Sequence, residues 1–266
     1  MSQENILKQL YKGTIRYDGS AFHGWQKQPN LTTVQGKLED CLSLIAREKV
    51  YVQGASRTDA GVHALGQTFT FFWKGVIPKR LKHAISEMLA PNAKITSLEA
   101  VPNNFDVCKN VKWKKYSYQL ALNKEPDPFT YRYSWQIPYD LDLNLLENLL
   151  KKLEGTHDFA GFQSSGSQME TTIRTIYSAK LLKGCILGDI NSQTVWRIEL
   201  VGDRFLYRMV RNITGTLVEI ARGRFKPEFF DECLYSNKKF LGYTAPPQGL
   251  ILVEINYYPT TNDNVY

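Results

Sequence analysis

The order in which β-prone runs and amphipathic helices alternate is the feature that most constrains the fold. YKGTIRYDGS predicts a strand that ends in a turn at Asp18-Gly19. TTVQGKLEDCLSLIA follows with apolar residues at helical spacing, and Thr32 or Thr33 is available as its cap. The strands VYVQGAS and GQTFTFFW, the helix PKRLKHAISEMLA and the strand KITSLEAV complete a β-α-β-β-α-β unit.

The same order recurs in the second half. WKKYSYQLAL predicts a strand, LDLNLLENLLKKLEG a helix with Gly155 as C-cap, and TIRTIYSAKLL and TVWRIELVG two further strands. DRFLYRMVRNITGTLVEIARG predicts a long helix, PEFFDECLY a short inserted one, and GLILVEINYY the last strand. We therefore predict an α/β (α+β) chain of two split β-α-β-β-α-β units, residues 1–110 and 111–266.

Composition narrows the classes of function. The net charge is +7 and the pI about 9.1, which suits a polyanionic partner such as nucleic acid. The segment from Arg204 to Lys226 holds six basic residues and one acid, Glu219. The N-terminus has no apolar signal region, and no apolar run approaches the ~20 residues of a membrane span. These features predict a cytoplasmic location and no membrane partner.

Motifs for bound cofactors and metals do not occur in the sequence. It contains no GxxxxGK[ST] loop, no GxGxxG after a strand and no zinc deaminase signature. The four cysteines form no CxxC pair, and the four histidines fall in four different elements. We therefore expect neither a metal site nor a nucleotide cofactor.

The loop GASRTDAGVHALGQ, from Gly54 to Gln67, lies between two predicted strands. It carries a single acid, Asp59, two residues after Arg57. One interpretation is an ordinary turn, because Asp and Gly are common turn residues. The other is a catalytic loop that displays a carboxylate, with glycines that let the backbone approach a ligand closely.

Two further groups suggest RNA contact. Arg204, Arg208 and Arg211 recur at helical spacing opposite the apolar face of the predicted long helix. They form a solvated face, a phosphate-facing stripe, or a stripe with one arginine turned inward towards a carboxylate.

Tyr118 fits a core position, whereas Tyr116, at the basic end of its strand, is either core or a stacking surface for a base.

Six blocks together resemble one protein family. GASRTDAGVHALGQ is similar to the catalytic motif of the TruA-type tRNA pseudouridine synthases, and YDGSAFHGWQKQ with TVQ to that family's first block. In composition, this first block is a polar loop with two aromatics available for stacking. KKYSY, LEGTHDF, FLYRMVRNITG and APPQGLILVEINY resemble the later blocks, in the same order. The blocks run from residue 17 to 258, which is nearly the whole chain.

The resemblance implies a fold and an activity. Members isomerise uridine to pseudouridine at positions 38, 39 and 40 of the tRNA anticodon arm, as homodimers without cofactor or metal. Their fold carries two α/β units that flank a basic cleft, with a largely antiparallel mixed sheet. By motif position, Asp59 matches the nucleophile, Arg57 the arginine that helps to hold the target base out of the stack, and Tyr116 the tyrosine that packs on it. Arg211 matches the arginine that pairs with the nucleophile, and Leu250 an apolar residue of the pocket.

One departure from the family pattern and two alternatives stay open. The family usually carries FxxR before the tyrosine block, but this chain has FDVC, Phe105 to Cys108, followed by Lys109. The first alternative is a pair of RNA-binding modules without chemistry, although the RNP1 pattern of such modules is missing. The second is a pseudouridine synthase of another specificity.

Overall fold

The computed structural model describes residues 8–123, 125, 127–166, 170–188, 194–236 and 243–258. The chain divides into two compact units: unit 1 comprises Met1–Lys112 and Leu252–Tyr266, and unit 2 comprises Trp113–Ile251. The sequence alone assigned everything after residue 110 to the second unit. In the structure, the described residues from Leu252 onwards pack with the first unit instead.

The strands and helices follow the predicted order. The strands are β1 (Lys8–Tyr17), β2 (Gln53–Gly54), β3 (His63–Lys74), β4 (Ala93–Ala100), β5 (Val111–Ala121), β6 (Trp135–Gln136), β7 (Gly155–Asp158), β8 (Ile173–Lys183), β9 (Val195–Gly202) and β10 (Leu250–Tyr257). The helices are α1 (Val34–Ala46), α2 (Leu81–Leu89), α3 (Pro128–Tyr131), α4 (Leu143–Lys151), α5 (Met209–Ala221) and α6 (Glu228–Tyr235). The short elements α3, β6 and β7 were not predicted.

In unit 1, β1 lies between β4 and β3 and is antiparallel to both, and β10 follows β3 in the strand order. Gly13 of β1 is opposite Phe69 of β3, and a Cβ on Gly13 would lie 2.4 Å from the Phe69 ring, so the aromatic ring occupies the space of a side chain. Helix α1 begins where the hydroxyl of Thr33 accepts a hydrogen bond from the amide of Gly36, which confirms Thr33 as its cap.

In unit 2, the strand order is β5-β9-β8-β7, with antiparallel pairing throughout, and β6 pairs with β5 in parallel. The carboxylate of Asp142 caps α4 by accepting a hydrogen bond from the amide of Leu145 at 2.9 Å. The predicted mixed α/β class with largely antiparallel strands is confirmed. Among the described residues, no helix has the length and apolar character needed to cross a bilayer.

Helix α5 differs from the prediction. The predicted helix began at Asp203, but α5 begins at Met209, because the preceding Arg208 adopts a left-handed backbone conformation with φ 58°. All thirteen residues of α5 are buried. Of the three interpretations of Arg204, Arg208 and Arg211, a solvated helix face is wrong, because two of these residues precede the helix and the third is buried.

The close packing of α5 depends on a glycine in its middle. A Cβ on Gly215 would lie 1.6 Å from the carbonyl oxygen of Tyr243. One turn before it, the amide of Ala245 donates a hydrogen bond to the carbonyl of Arg211 at 3.1 Å. The segment that begins at Tyr243 therefore lies directly against the helix backbone, and only glycine leaves room for it.

We expect Gly215→Ala to destabilise the protein strongly. The added methyl group meets backbone, which cannot rotate away, and overpacking of this kind costs about 1–3 kcal/mol or more. Thermal unfolding measures the effect. Gly36→Ala in α1 is the matched control, because its nearest neighbour is the side-chain oxygen of Thr33 at 3.0 Å. Equal melting temperatures for Gly215→Ala and the wild type would contradict the proposed close packing.

Candidate catalytic loop and its partners

The loop of residues 55–62 joins β2 to β3 and is held by hydrogen bonds to its own backbone. The side-chain amide of Gln67 donates to the carbonyl of Ser56 at 2.6 Å. The amide of Val62 donates to the carbonyl of Asp59 at 3.1 Å, which closes a turn immediately after the acid. The loop is therefore braced at its start and at the turn that carries Asp59.

Side chains alternate in direction through this loop. Ser56 and Thr58 are buried, Arg57 is exposed and Asp59 is half-buried. The hydroxyls of Thr58 and Tyr17 are hydrogen-bonded at 2.8 Å inside the unit. Anchoring at position 58 leaves Arg57 at the surface and presents the carboxylate of Asp59 in a half-buried position beside it.

The segment before α1 packs on the backbone of the loop. The amide of Trp25 donates to the carbonyl of Thr58 at 3.1 Å. Gly24 has φ +85°, and a Cβ there would lie 2.6 Å from the oxygen of Thr58 and 3.1 Å from the carbonyl carbon of Asp59. The sequence had suggested that the aromatics of this block stack on a ligand. Phe22 and Trp25 are instead 8% and 1% exposed and form the core beneath the loop.

The loop glycines also serve internal packing. A Cβ on Gly54 would lie 2.3 Å from the Trp25 ring, and one on Gly66 would lie 2.6 Å from the carbonyl oxygen of Val253. Both neighbours belong to unit 1. The expectation that these glycines admit the RNA backbone was therefore wrong at both positions, since side chain and strand backbone already fill the space.

A buried carboxylate, which no motif of the sequence indicated, organises the base of this region. Glu39 is 5% exposed. It accepts hydrogen bonds from the ammonium of Lys27 at 2.9 Å, the amide of Val52 at 3.1 Å and the side chain of Gln35 at 3.3 Å. The hydrogen bond to Glu39 raises the pKa of Lys27. The network ties α1 to the strand before the loop and to the segment that covers it.

His63 begins β3 directly after the loop. It is 3% exposed, and its Nδ1 accepts a hydrogen bond from the amide of Gly19 at 3.0 Å. A Cβ on Gly19 would lie 2.1 Å from the carbonyl oxygen of Val62, so the turn after β1 lies against the end of the loop. His63 is one of the four histidines that fall in different elements, and its position next to the loop follows only from the fold.

The predicted stacking residue Tyr116 lies on β5 in unit 2. It is 7% exposed, and its ring meets Phe205 edge-on with the centroids 5.0 Å apart. Tyr118, two residues on, is fully buried and donates a hydrogen bond to the carbonyl of Pro246 at 2.7 Å. Burial raises the pKa of Tyr118, and the positive charge of Arg211 opposes that rise. Tyr118 is the core residue that the sequence predicted.

Arg211 and Leu250 belong to the surroundings of the same strand. Arg211 is 9% exposed, and its Nε donates to the carbonyl of Ala245 at 2.8 Å. Leu250 is 6% exposed and follows Gly249, where a Cβ would lie 2.6 Å from the Tyr118 ring. Three of the predicted site residues, Tyr116, Arg211 and Leu250, thus belong to unit 2. Arg57 and Asp59 lie together in unit 1.

Comparisons with known proteins identify the family. The sequence profile described as tRNA pseudouridine synthase matches residues 14–108 and 149–258. A relative from Acetivibrio thermocellus, named tRNA pseudouridine synthase A, is 37% identical over 91% of this chain and 97% of its own length. Proteins of the same name from Thermodesulfovibrio yellowstonii and Lactococcus lactis are 37% and 36% identical, over 92% and 95% of this chain and 98% of each relative.

The chain belongs to the tRNA pseudouridine synthases. It is therefore an isomerase that converts uridine in tRNA to pseudouridine, as the resemblance implied. Among the described residues, no group of three or more His, Cys, Asp or Glu side chains is arranged to hold a metal ion.

The departure from the family pattern lies beside the loop of this synthase. Cys108 is exposed, and its Sγ lies 3.4 Å from the carbonyl oxygen of Gly54, at the end of β2. The carboxylate of Asp106 accepts hydrogen bonds from the amides of Cys108 at 2.8 Å and Lys109 at 3.0 Å. These bonds lower the pKa of Asp106, with the one from Lys109 contributing most. Asp106 thus fixes the turn that places Cys108 against β2.

We expect Asp106→Asn to destabilise the protein at neutral pH and not in strong acid. Because the folded protein lowers the pKa of Asp106, its contribution is present above the unfolded value of about 3.9 and is lost as the pH falls through the folded value. The melting temperature should fall by a few degrees at most, because solvent screens the charge of a half-buried carboxylate. Wild type and variant should converge in acid, and a constant difference at every pH would contradict the role of the charge.

Proposed function

We propose that this synthase acts on the anticodon stem-loop of tRNA, at positions 38, 39 and 40, with Asp59 as the nucleophile. One observation carries the proposal: the carboxylate of Asp59 is half-buried on a loop that hydrogen bonds hold in place. These bonds involve the side chain of the neighbouring Thr58 and the loop backbone. Gly24, with φ +85°, lets Trp25 pack on the loop, so the position of Asp59 is set by packing as well as by the turn. The resemblance of the loop to the family's catalytic motif supports the same residue.

The reaction needs few groups. The N1–C1′ bond of the uridine breaks, the base turns, and a C5–C1′ bond forms, so no atom is gained or lost. A carboxylate serves by adding covalently to the sugar or the base, or by removing a sugar proton to give a glycal. No external cofactor is required for any of these routes, and Asp59 supplies the carboxylate in each of them.

The target uridine must leave the base stack, at a cost of a few kcal/mol by analogy with base-flipping enzymes. We propose that Arg57, which is exposed, helps to hold the base out, and that Tyr116 packs on it. Arg211 is proposed to pair with the nucleophile, because a nearby guanidinium favours the ionised form of a carboxylate. Leu250 is proposed to line the pocket as an apolar residue.

We further propose that the protein works in the cytoplasm as a homodimer, as the resemblance implies. Light scattering tests the dimer: a mass twice that of the 30.5 kDa chain supports it, and the mass of a single chain contradicts it.

Asp59→Asn should abolish pseudouridine formation and leave tRNA binding nearly intact. The amide keeps the shape of the side chain but is neither nucleophile nor base, whereas phosphate contacts supply most of the affinity. The measurement is pseudouridine mapping in an anticodon stem-loop transcript, with the dissociation constant determined in parallel.

Asp40→Asn is the matched control, because Asp40 is an exposed acid of unit 1 outside the loop. It should form pseudouridine at the wild-type rate. Near-normal activity of Asp59→Asn would refute the assignment of the loop. A wild-type protein that binds the transcript but modifies it elsewhere, or not at all, would refute the proposed position or activity.

Tyr116→Leu should slow single-turnover isomerisation while the protein stays folded. Stacking of a base on an aromatic ring is worth roughly 1–3 kcal/mol, about five- to 150-fold, and leucine keeps apolar bulk against Phe205 without the ring. Tyr177→Leu, at an exposed tyrosine of β8, is the control and should keep the wild-type rate. If both variants react equally fast, Tyr116 is only a packing residue.

A further inference from the structure

The structure separates the basic cluster of the sequence into groups with different surroundings. Arg211 is buried within α5. Arg222 and Arg224 both bind the buried carboxylate of Glu219, at 2.9 and 3.1 Å. The single charge of Glu219 therefore compensates one of their two positive charges.

The two remaining arginines of this cluster, Arg204 and Arg208, precede α5, and Lys226 follows it. The thirteen residues of α5 span about 20 Å, so the exposed charges of Arg204 and Arg208 are well separated from that of Lys226. The positive charge available to a partner at the start of α5 thus comes from the link between β9 and α5, residues 203–208.

The link has a fixed conformation. The carboxylate of Asp203 accepts hydrogen bonds from the amides of Thr175 at 3.0 Å and Arg204 at 2.6 Å. The amide of Asp203 in turn donates to the carbonyl of Thr175, which ties the link to β8. Leu206 is buried, and Phe205 packs against Tyr116. The exposed side chains of the link therefore project from a rigid base.

Arg208 and Tyr207 form a flat, exposed pair at the end of the link. The guanidinium carbon of Arg208 lies 4.9 Å from the centroid of the Tyr207 ring, and Tyr207 is 37% exposed. Arg208 holds a left-handed conformation with φ 58°, which is uncommon for a residue with a side chain. Such local strain is concentrated at functional positions of proteins.

A buried arginine adds positive charge nearby. Arg174 on β8 is 4% exposed, and its Nε has no hydrogen-bond partner among the described residues. Burial lowers the pKa of Arg174, the charge of Asp203 opposes this, and repulsion from Arg204 adds to the lowering. An anion bound at the link would relieve this repulsion.

Lysines from a neighbouring strand extend the same positive region. In the pairing of β5 with β9, Lys114 is opposite Gly202, the residue that directly precedes the link, and Lys115 is opposite Val201. Both lysines are partly exposed. The start of β5, which leads to Tyr116, therefore lies alongside the link.

We propose that Arg204 and Arg208 bind phosphates of the tRNA backbone, and that the buried guanidinium of Arg174 strengthens the positive potential of this subsite. The inference rests on the proposed function and adds a backbone-binding subsite to it. The link that carries the two arginines also packs Phe205 against Tyr116, so a strand held here is anchored to the element that is proposed to receive the base.

The test is the salt dependence of tRNA binding by Arg204→Gln, Arg208→Gln and the double variant, measured with an anticodon stem-loop transcript. Each phosphate contact that is lost should make the slope of log K against log salt shallower by about 1. If wild type and variant bind equally at 1 M salt, the loss of one phosphate contact should lower the affinity about tenfold at 50 mM salt.

Two sets of variants separate charge from structure. Arg204→Lys and Arg208→Lys keep the positive charge and should keep the wild-type slope. Arg80→Gln removes an exposed arginine of unit 1 and should leave slope and affinity unchanged.

An unchanged slope in the folded double variant would overturn the proposal, and so would equal losses in the Lys and Gln variants. Failure of the proposed function has a different signature. In that case the wild-type protein itself would make no pseudouridine in the transcript, whatever the slopes of the variants.

Discussion

The close approach of Gly24 to the backbone of residues 58–60 is the constraint on which the candidate catalytic loop depends. Any side chain at Gly24 would collide with the carbonyl of Thr58, and its φ of +85° is rarely adopted by other residues. The approach lets the amide of Trp25 donate to the same carbonyl, and it buries the indole beneath the loop. The carboxylate of Asp59 thus belongs to a loop whose position is set by packing as well as by its own turn.

The same principle operates in unit 2 around α5. The helix is buried on every side, which requires Gly215 at the point where the backbone of Tyr243 crosses it. Buried polar side chains of the helix bind the segments packed around it. The Nδ2 of Asn212 donates to the carbonyl of Phe162 at 2.9 Å. The Oδ1 of Asn212 accepts a hydrogen bond from the hydroxyl of Thr244 at 2.8 Å. Arg211 is consequently held by its own backbone and by Ala245, so its guanidinium has a defined place before any substrate arrives.

The buried carboxylate of Glu219 determines which arginines of the Arg204–Lys226 segment are paired within the protein. Glu219 is 3% exposed and takes up two arginines that follow α5, whereas the arginines before the helix remain at the surface. A buried carboxylate must be paired, so its position decides which cations remain for a polyanion.

The sequence by itself determined the order of the elements, the α/β class, a threonine cap at the start of α1 and the motif that contains Asp59. These features are local: they depend on periodicity, on turn residues and on residue types at fixed spacing. The family followed from the order of the motifs, and the comparisons confirm it.

Only the tertiary structure decided where α5 begins, which aromatics are buried and what the loop glycines touch. A helix buried on every side has no polar face from which its start can be inferred. Close contacts of Gly24 with Thr58, or of Gly215 with Tyr243, join residues far apart in the chain. Spacing along a sequence carries no record of such contacts, because they arise from the packing of separate elements against one another.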